Sequence, residues 1–191
     1  MDWYRLRHTV GMYLTLRPMK RALYIKKHGI FQNMGKNCMV MFRKIPLYSR
    51  LISFGNNVWV ASNVTFIPHD VIHYMLNYTR KDLKLPEYLG CIDIKDNVFI
   101  GSNATILPNV SVGPNAIIAA GALVNKSVGE GVYAGVPAKY ICSIDEFIEK
   151  RQTLPAIKID KNGKCGLSEE TIEACWERFR RMDSEAVASK A

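Results

Sequence analysis

From Ile94 to Gly129 the chain keeps a six-residue beat: IKDNVF IGSNAT ILPNVS VGPNAI IAAGAL VNKSVG. The first places hold Ile94, Ile100, Ile106, Val112, Ile118 and Val124, and the fifth hold Val98, Ala104, Val110, Ala116, Ala122 and Val128. Asn97, Gly101, Asn103, Pro108, Asn109, Gly113, Pro114 and Asn115 fill much of the space between. A period of six matches neither the 3.6 of a helix nor the two of a simple two-faced sheet. It fits an all-β solenoid whose every side is a short strand and a turn. The first residue of each block points inward, the fifth tucks into the corner, and Asn or Gly takes the tight-turn backbone. Three blocks close a triangular coil, so 94–129 supplies two coils, stacked about 4.8 Å apart and pairing their backbones with the coils above and below.

The beat has a second frame upstream, Phe54-Gly-Asn-Asn-Val58 then Val60-Ala-Ser-Asn-Val64 then Phe66, and it resumes at Tyr88 with Ile92 in a fifth place. Phe66 and Tyr88 are not a whole number of blocks apart, so the chain leaves the coil at about 68–87. Earlier still the pattern is degraded, with Met34-Gly-Lys-Asn-Cys38 and Val40 as early turns. Three regions follow: a basic helical segment at 1–33, the repeat at 34–141, and a helical cap and tail at 142–191. In the last, Ser143-Ile-Asp-Glu146 reads as a capping box. LSEETIEACWERFRRM reads as a helix with Glu169 and Glu170 in its first turn and Arg178, Arg180 and Arg181 near its end. The intervening QTLPAIKIDKNGKCG reads as a loop with a short hairpin at Asn162-Gly163.

The 191 residues suffice for one domain or a domain with a tail, and no apolar run approaches the roughly 20 residues that cross a bilayer. The N-terminal apolar stretch is broken by Arg17, Lys20 and Arg21 and lacks a small-residue cleavage site, so a cytoplasmic protein is expected. Cys38, Cys91, Cys142, Cys165 and Cys175 are odd in number and never spaced CxxC, which points to reduced thiols, with Cys91 as a small buried group. The net charge of +9 suits a phosphate-bearing ligand, nucleic acid or an anionic surface. Arg5, Arg7, Arg17, Lys20, Arg21, Lys26 and Lys27 crowd the first 50 positions without a nucleic-acid motif, so they read as a solvated, packing or membrane-facing surface, with no nucleic-acid partner expected.

The blocks from Ile92 onward, closing with VYAGVPAKYI, resemble the hexapeptide-repeat acyltransferases, nearest to the galactoside/maltose and xenobiotic O-acetyltransferase branches. The resemblance covers about 54–141. It implies a left-handed parallel β-helix, here with short helical segments at both ends, assembled as a homotrimer and moving acetyl from acetyl-CoA to a hydroxyl or amine without a metal. The family keeps its catalytic histidine on a loop that leaves the coil. In VTFIPHDVIHYMLNY, His69 is that histidine by its place after Phe66-Ile67 and before Asp70, and His73-Tyr74-Met75 is the rival. The imidazole side chain, titrating near neutrality, suits a general base.

On the donor side the resemblance assigns Ser102, Ala120, Asn125, Lys126 and Lys139 to acetyl-CoA. The family's Thr before Lys126 is Asn125 here, and its Arg after the Pro-Ala basic residue is Cys142, two departures at the phosphate end. Small side chains leave room for a pantetheine arm and lysines meet phosphates as point charges. On the acceptor side the galactoside branch's sugar-binding Asn falls near Met41, while Asp70, Asn77 and the tyrosine-rich loop are candidates to shape the pocket. The HxxxH spacing of His69 and His73 also raises a zinc lyase, but His8 and His28 lie outside the repeat and catalytic zinc asks for three protein ligands. The expectation is an acetyl-CoA-dependent O-acetyltransferase acting directly on a sugar or sugar-containing acceptor, as in surface-polysaccharide biosynthesis. The alternatives are an antibiotic acetyltransferase and a trimeric scaffold without turnover.

Overall fold

The computed structural model describes residues 3–163 and 166–188. The chain divides into two compact units, the first running to Phe147 and the second beginning at Ile148.

The first unit opens with helices α1 (Trp3–Leu14) and α2 (Pro18–Lys27). Arg17 before Pro18 is extended, as a residue preceding proline must be, and Pro18 starts α2 where no backbone N–H is needed. Thirteen short strands follow: β1 (Asn33–Met34), β2 (Met39–Val40), β3 (Ile52–Phe54), β4 (Val58–Val60), β5 (Thr65–Phe66), β6 (Ile92–Ile94), β7 (Val98–Ile100), β8 (Thr105–Ile106), β9 (Val110–Val112), β10 (Ala116–Ile118), β11 (Leu123–Val124), β12 (Gly131–Ala134) and β13 (Lys139–Cys142).

They deal themselves in rotation onto three sheets, ordered β1-β3-β6-β9, β13-β12-β10-β7-β4-β2 and β11-β8-β5. All pairings are parallel except β12 with β13. Three-sided circuits thus stack in register: Phe54 faces Ile94 and Ile94 faces Val112; Val60 faces Ile100 and Ile100 faces Ile118. The circuit from Ile94 to Val112 takes the expected three blocks of six, whereas Met34 and Phe54, also partners, are separated by two residues more. That surplus is spent in the loop after β2.

The beat is steric in origin. Every first-place residue from Ile94 to Val124 is fully buried, as are Val98, Ala104, Val110, Ala116 and Ala122 in the fifth places. Near the helices the aliphatics give way to rings: Phe31 packs on Phe54, and Phe42 and Phe54 both pack on Phe66. At one corner Asn37, Asn57, Asn97 and Asn115 all take left-handed backbone, φ between 51° and 58°. Their amides form a ladder, each Nδ2 donating to the next Oδ1 at 2.9, 3.0 and 3.0 Å. Asn tolerates this backbone because its short polar side chain bonds locally.

Between β5 and β6 the chain leaves the coil and forms α3 (Ile72–Thr79). The exit and return are stitched together: Gly90 N–H donates to the Pro68 carbonyl (2.8 Å), Asp70 N–H donates to the Tyr88 carbonyl (3.1 Å), and His69 bridges to Leu89. After β12 the AGVPAK segment turns the chain back into β13, with Ala134 opposite Lys139.

Helix α4 (Ile144–Gln152) begins with the expected reciprocal cap: Glu146 N–H donates to Ser143 Oγ and Ser143 N–H to Glu146 Oε2, both at 3.0 Å. In the second unit, α5 (Glu169–Ala188) is capped by Ser168, whose Oγ accepts from Thr171 N–H. Three expectations are corrected here. The described residues around Asn162-Gly163 form no hairpin; instead Asp160 N–H donates to Thr171 Oγ1 and Ser168 N–H to the Asp160 carbonyl, folding the segment onto the start of α5. Arg178, Arg180 and Arg181 do not end α5, which continues past them to Ala188; Arg180 instead pairs with Glu173 and Arg178 reaches the Pro155 carbonyl. Cys91, expected buried, is exposed because it alternates outward from Ile92; Cys165 lies outside the described residues. No described helix is long and apolar enough to cross a membrane.

Candidate functional site

A cavity of about 780 Å³ lies beside the root of the excursion. Its walls come from three places: the helices (Arg5, Tyr13, Arg21), the long loop after β2 (Met41 to Leu47), and the corner and strand leading out of β4 through β5 to His69. His69 is thus the point where coil, excursion and cavity meet. Its ring is half-buried and stands edge-on to Tyr48, centroids 5.1 Å apart and planes at 88°. Its Nδ1 is buried with no hydrogen-bond partner among the described residues. The Tyr48 hydroxyl donates to Glu87 Oε2 (3.1 Å), and this bond, then burial, then the Glu87 charge raise the phenol pKa above its ordinary value.

His73 lies on α3, its ring against Tyr74, and does not line the cavity; its Nδ1 is likewise buried without a partner. Asp70 holds the start of α3, its Oδ1 accepting from Ile72 N–H. The Asn77 amide is committed to Leu85, donating to its carbonyl and accepting from its N–H, both at 2.9 Å. Both residues therefore shape the excursion from within. Met41 lines the cavity.

Ser102 and Ala120 occupy the same corner of successive circuits, joined by a 2.8 Å bond from Gly121 N–H to the Ser102 carbonyl. Ala120 and Gly121 are exposed, and a Cβ built on Gly121 meets nothing within 4 Å, so the corner presents a low, open strip. Asn125 and Lys126 follow β11 and are exposed at a different corner, the one that His69 occupies after β5. Sheet register places one circuit between those two positions (Phe66 faces Ile106, Ile106 faces Val124), or about 10 Å of stacking. Lys139 opens β13 and is exposed. The protein therefore gathers His69 and Lys126 at one corner, Ser102 and Ala120 at another, and sets Lys139 on the terminal hairpin.

The basic residues of the N-terminal region, read as a solvated, packing or membrane-facing surface, divide: Arg7, Arg17, Lys20, Lys26 and Lys27 are exposed, whereas Arg21 and Arg5 pack inward. Arg21 is not a solvated residue: it is 1% exposed, its Nε donates to the Val40 carbonyl (2.9 Å), and its Nη1 donates to the Thr15 and Leu16 carbonyls (3.0 and 2.9 Å). Arg5 also turns inward, its Nε donating to the Ile45 carbonyl at 2.8 Å. Arg43, overlooked in the sequence, joins them with Nη1 on the Tyr13 carbonyl at 2.8 Å and its guanidinium over the Tyr13 ring. The available signal was FRK directly after Met41, a charged pair where a hexapeptide block breaks off. Among the described residues no three His, Cys, Asp or Glu gather as a metal site.

The family described as bacterial transferase hexapeptide (six repeats) matches residues 92–126. The protein named "Putative acetyltransferase YvoF" from Bacillus subtilis (strain 168) is 30% identical over 144 residues, 74% of this chain and 76% of that one. Galactoside O-acetyltransferase of Escherichia coli (strain K12) is 32% identical over 121 residues, 62% of this chain; the match spans only 57% of that relative's length. A solved galactoside acetyltransferase in complex with coenzyme A superposes with a TM-score of 0.51 at 26% identity, covering 82% of this chain and 88% of that one. The chain belongs to the hexapeptide-repeat acetyltransferase family.

Proposed function

We propose that the protein is an acetyl-CoA-dependent O-acetyltransferase acting on a hydroxyl of a sugar or sugar-containing acceptor, with His69 as general base. The observation that carries this reading is the position of His69, the one histidine lining a cavity large enough for a sugar unit, at the corner shared with Lys126. With Nδ1 buried, Nε2 is the nitrogen left to take the acceptor proton as the hydroxyl oxygen attacks the thioester carbonyl. The new C–O bond forms, the C–S bond breaks, and CoA leaves as the thiol with the proton. Transfer is direct. Backbone N–H groups stabilise the developing oxyanion.

The donor lies along the low strip of Ser102, Ala120 and Gly121, where there is room for a narrow arm, with Lys126 and Lys139 toward its phosphates. We further propose that the coil is left-handed and that the protein works as a cytoplasmic homotrimer in surface-polysaccharide synthesis. An outward stripe of Trp59, Phe99 and Ile117, neighbours on β4, β7 and β10, supports an apolar face for a second copy.

Calorimetric titration with acetyl-CoA, followed by thiol release with a sugar panel, tests the reading. Saturable binding near one donor per chain, weakened by Lys126→Ala, together with sugar-dependent thiol release is expected. No binding at millimolar donor overturns it.

A further inference from the structure

Two of the three walls of the cavity that His69 lines, the helices and the loop after β2, are cationic. Arg5, Arg21, Arg43 and Lys44 line it, and no Asp or Glu does. None of the four is in an ion pair among the described residues. Exposed charges of one sign are ordinary where water screens them; these arginines are held in place instead. Each is fixed by a backbone carbonyl, Arg5 by Ile45, Arg21 by Val40, Thr15 and Leu16, and Arg43 by Tyr13. Carbonyl dipoles orient a guanidinium without cancelling its charge.

Arg21 is the telling member. It is almost wholly buried, and its Nη2 finds only the thioether of Met41, at 3.7 Å. Burial, and then the charge of Arg43, pull its pKa down from the ordinary arginine value. A guanidinium stays charged at any physiological pH, so the protein keeps a desolvated cation beside two more. A buried charge is costly unless paired. The geometry of guanidinium groups matches two acids, carboxylate and phosphate, which they bind through paired charge-assisted hydrogen bonds.

We infer that the acceptor carries a negative charge, as a sugar carboxylate or a sugar phosphate, that Arg43 and Lys44 receive that group with the buried charge of Arg21 behind them, and that His69 faces the hydroxyl to be acetylated. This rests on the reading of the cavity as the acceptor site and narrows it to a substrate class. The long circuit after β2 now has a use: its two extra residues lie in the loop that carries Arg43 and Lys44 to the cavity mouth. The apolar floor of Phe42, Val64, Phe66 and Ile67 suits the C–H face of a sugar ring.

The test compares methyl galactoside, methyl galacturonide and galactose 1-phosphate on the full chain, in two readouts: direct binding by calorimetry without donor, and thiol release with acetyl-CoA. One or both anionic sugars are expected to bind about 10- to 100-fold more tightly than the neutral one. That preference falls as salt rises and collapses in Arg43→Gln/Lys44→Gln, a variant chosen because Arg21→Met removes a buried group and risks the fold. Preference for the uronide alone identifies a carboxylate acceptor, and preference for the phosphate alone a sugar phosphate. Equal binding of all three, or none, overturns the inference. Thiol release without anion preference also overturns it while leaving acetyl transfer standing, whereas tight anion binding with no thiol release for any sugar overturns acetyl transfer and leaves the anion site.

Discussion

Tyr48 meets His69 edge-on while its hydroxyl is tied to Glu87 on the returning limb of the excursion, so one side chain couples the ring of the proposed base to the loop that carries it. Tyr48 itself sits in left-handed backbone, φ 52°, at the end of the loop that lines the cavity. Tyr48→Ala removes the wall against which the imidazole rests and is expected to lower kcat about 10- to 100-fold, as small misplacements of reacting groups do. Tyr48→Phe keeps the ring and loses only the Glu87 bond, so its loss is expected to be much smaller. Steady-state kinetics separate the two; equal losses would show that the hydroxyl, and not the ring, matters.

Histidine replacement distinguishes the two bases. His69→Ala is expected to reduce acetyl transfer about 100- to 10,000-fold with acetyl-CoA affinity retained. His73→Ala, on α3 and off the cavity, is expected to retain most turnover. The reverse ranking in thiol-release assays would assign the base to His73.

The asparagine ladder makes a prediction about stability. At Asn97 both Ala and Gly delete the amide links to Asn57 and Asn115, but only Ala must also hold a φ of 58°. Asn97→Ala is therefore expected to be less stable than Asn97→Gly by about 1 kcal/mol. Urea midpoints at fixed slope measure the difference, and equal midpoints would show that the left-handed backbone at position 97 costs alanine nothing.

Stacking distance is tested at a glycine. A Cβ on Gly101 would lie 2.5 Å from the Ala120 nitrogen and 2.8 Å from the Ala119 carbonyl carbon, both backbone atoms of the next circuit. Gly101→Ala is expected to destabilise by about 1–3 kcal/mol, as overpacking does, and to weaken acetyl-CoA binding at the Ser102–Ala120 corner. Gly129→Ala, with nothing within 4 Å, serves as the silent control.

The helical end of the first unit carries a pH dependence. His8 is buried, with Nδ1 3.1 Å from the Tyr24 hydroxyl. Burial first, then the charges of His28 and Arg7, hold its pKa below the ordinary histidine value of 6.5. The unfolded chain therefore binds a proton that the folded chain refuses, so stability is full above about pH 6.5 and declines as the pH drops below it. Thermal melts at pH 5.5 and pH 8 are expected to differ by less in His8→Leu than in the unaltered protein; an unchanged difference would move the effect to another group.

How much of this was legible follows from where the chain repeats. The residues of Ile94 to Val128 encode inward and outward positions by size and branching alone, so sheet membership, turn residues and the departure near 68 were readable by counting. The capping box at Ser143 was equally local. The cavity was not readable, because Arg5, Arg21 and Arg43 are far apart in the chain and only packing of α1 and α2 beside the loop after β2 unites them. A buried Arg21 carries no periodic signature, since its partners are backbone carbonyls that every residue possesses. The bonds of the Asn77 amide to Leu85 were unreadable for a related reason, since they depend on how the excursion folds back on itself.

The stitched neck of the excursion has an evolutionary meaning. Ile52 still faces Ile92 and Phe54 still faces Ile94, as though nothing stood between β5 and β6, and the bonds joining Pro68 to Gly90 and Asp70 to Tyr88 use main-chain atoms only. The segment beyond that neck is a cassette: its length and side chains can be rewritten without disturbing any circuit. Because no residue beyond the neck lines the cavity, such rewriting leaves the pocket walls from Arg5 to Ile67 as they are.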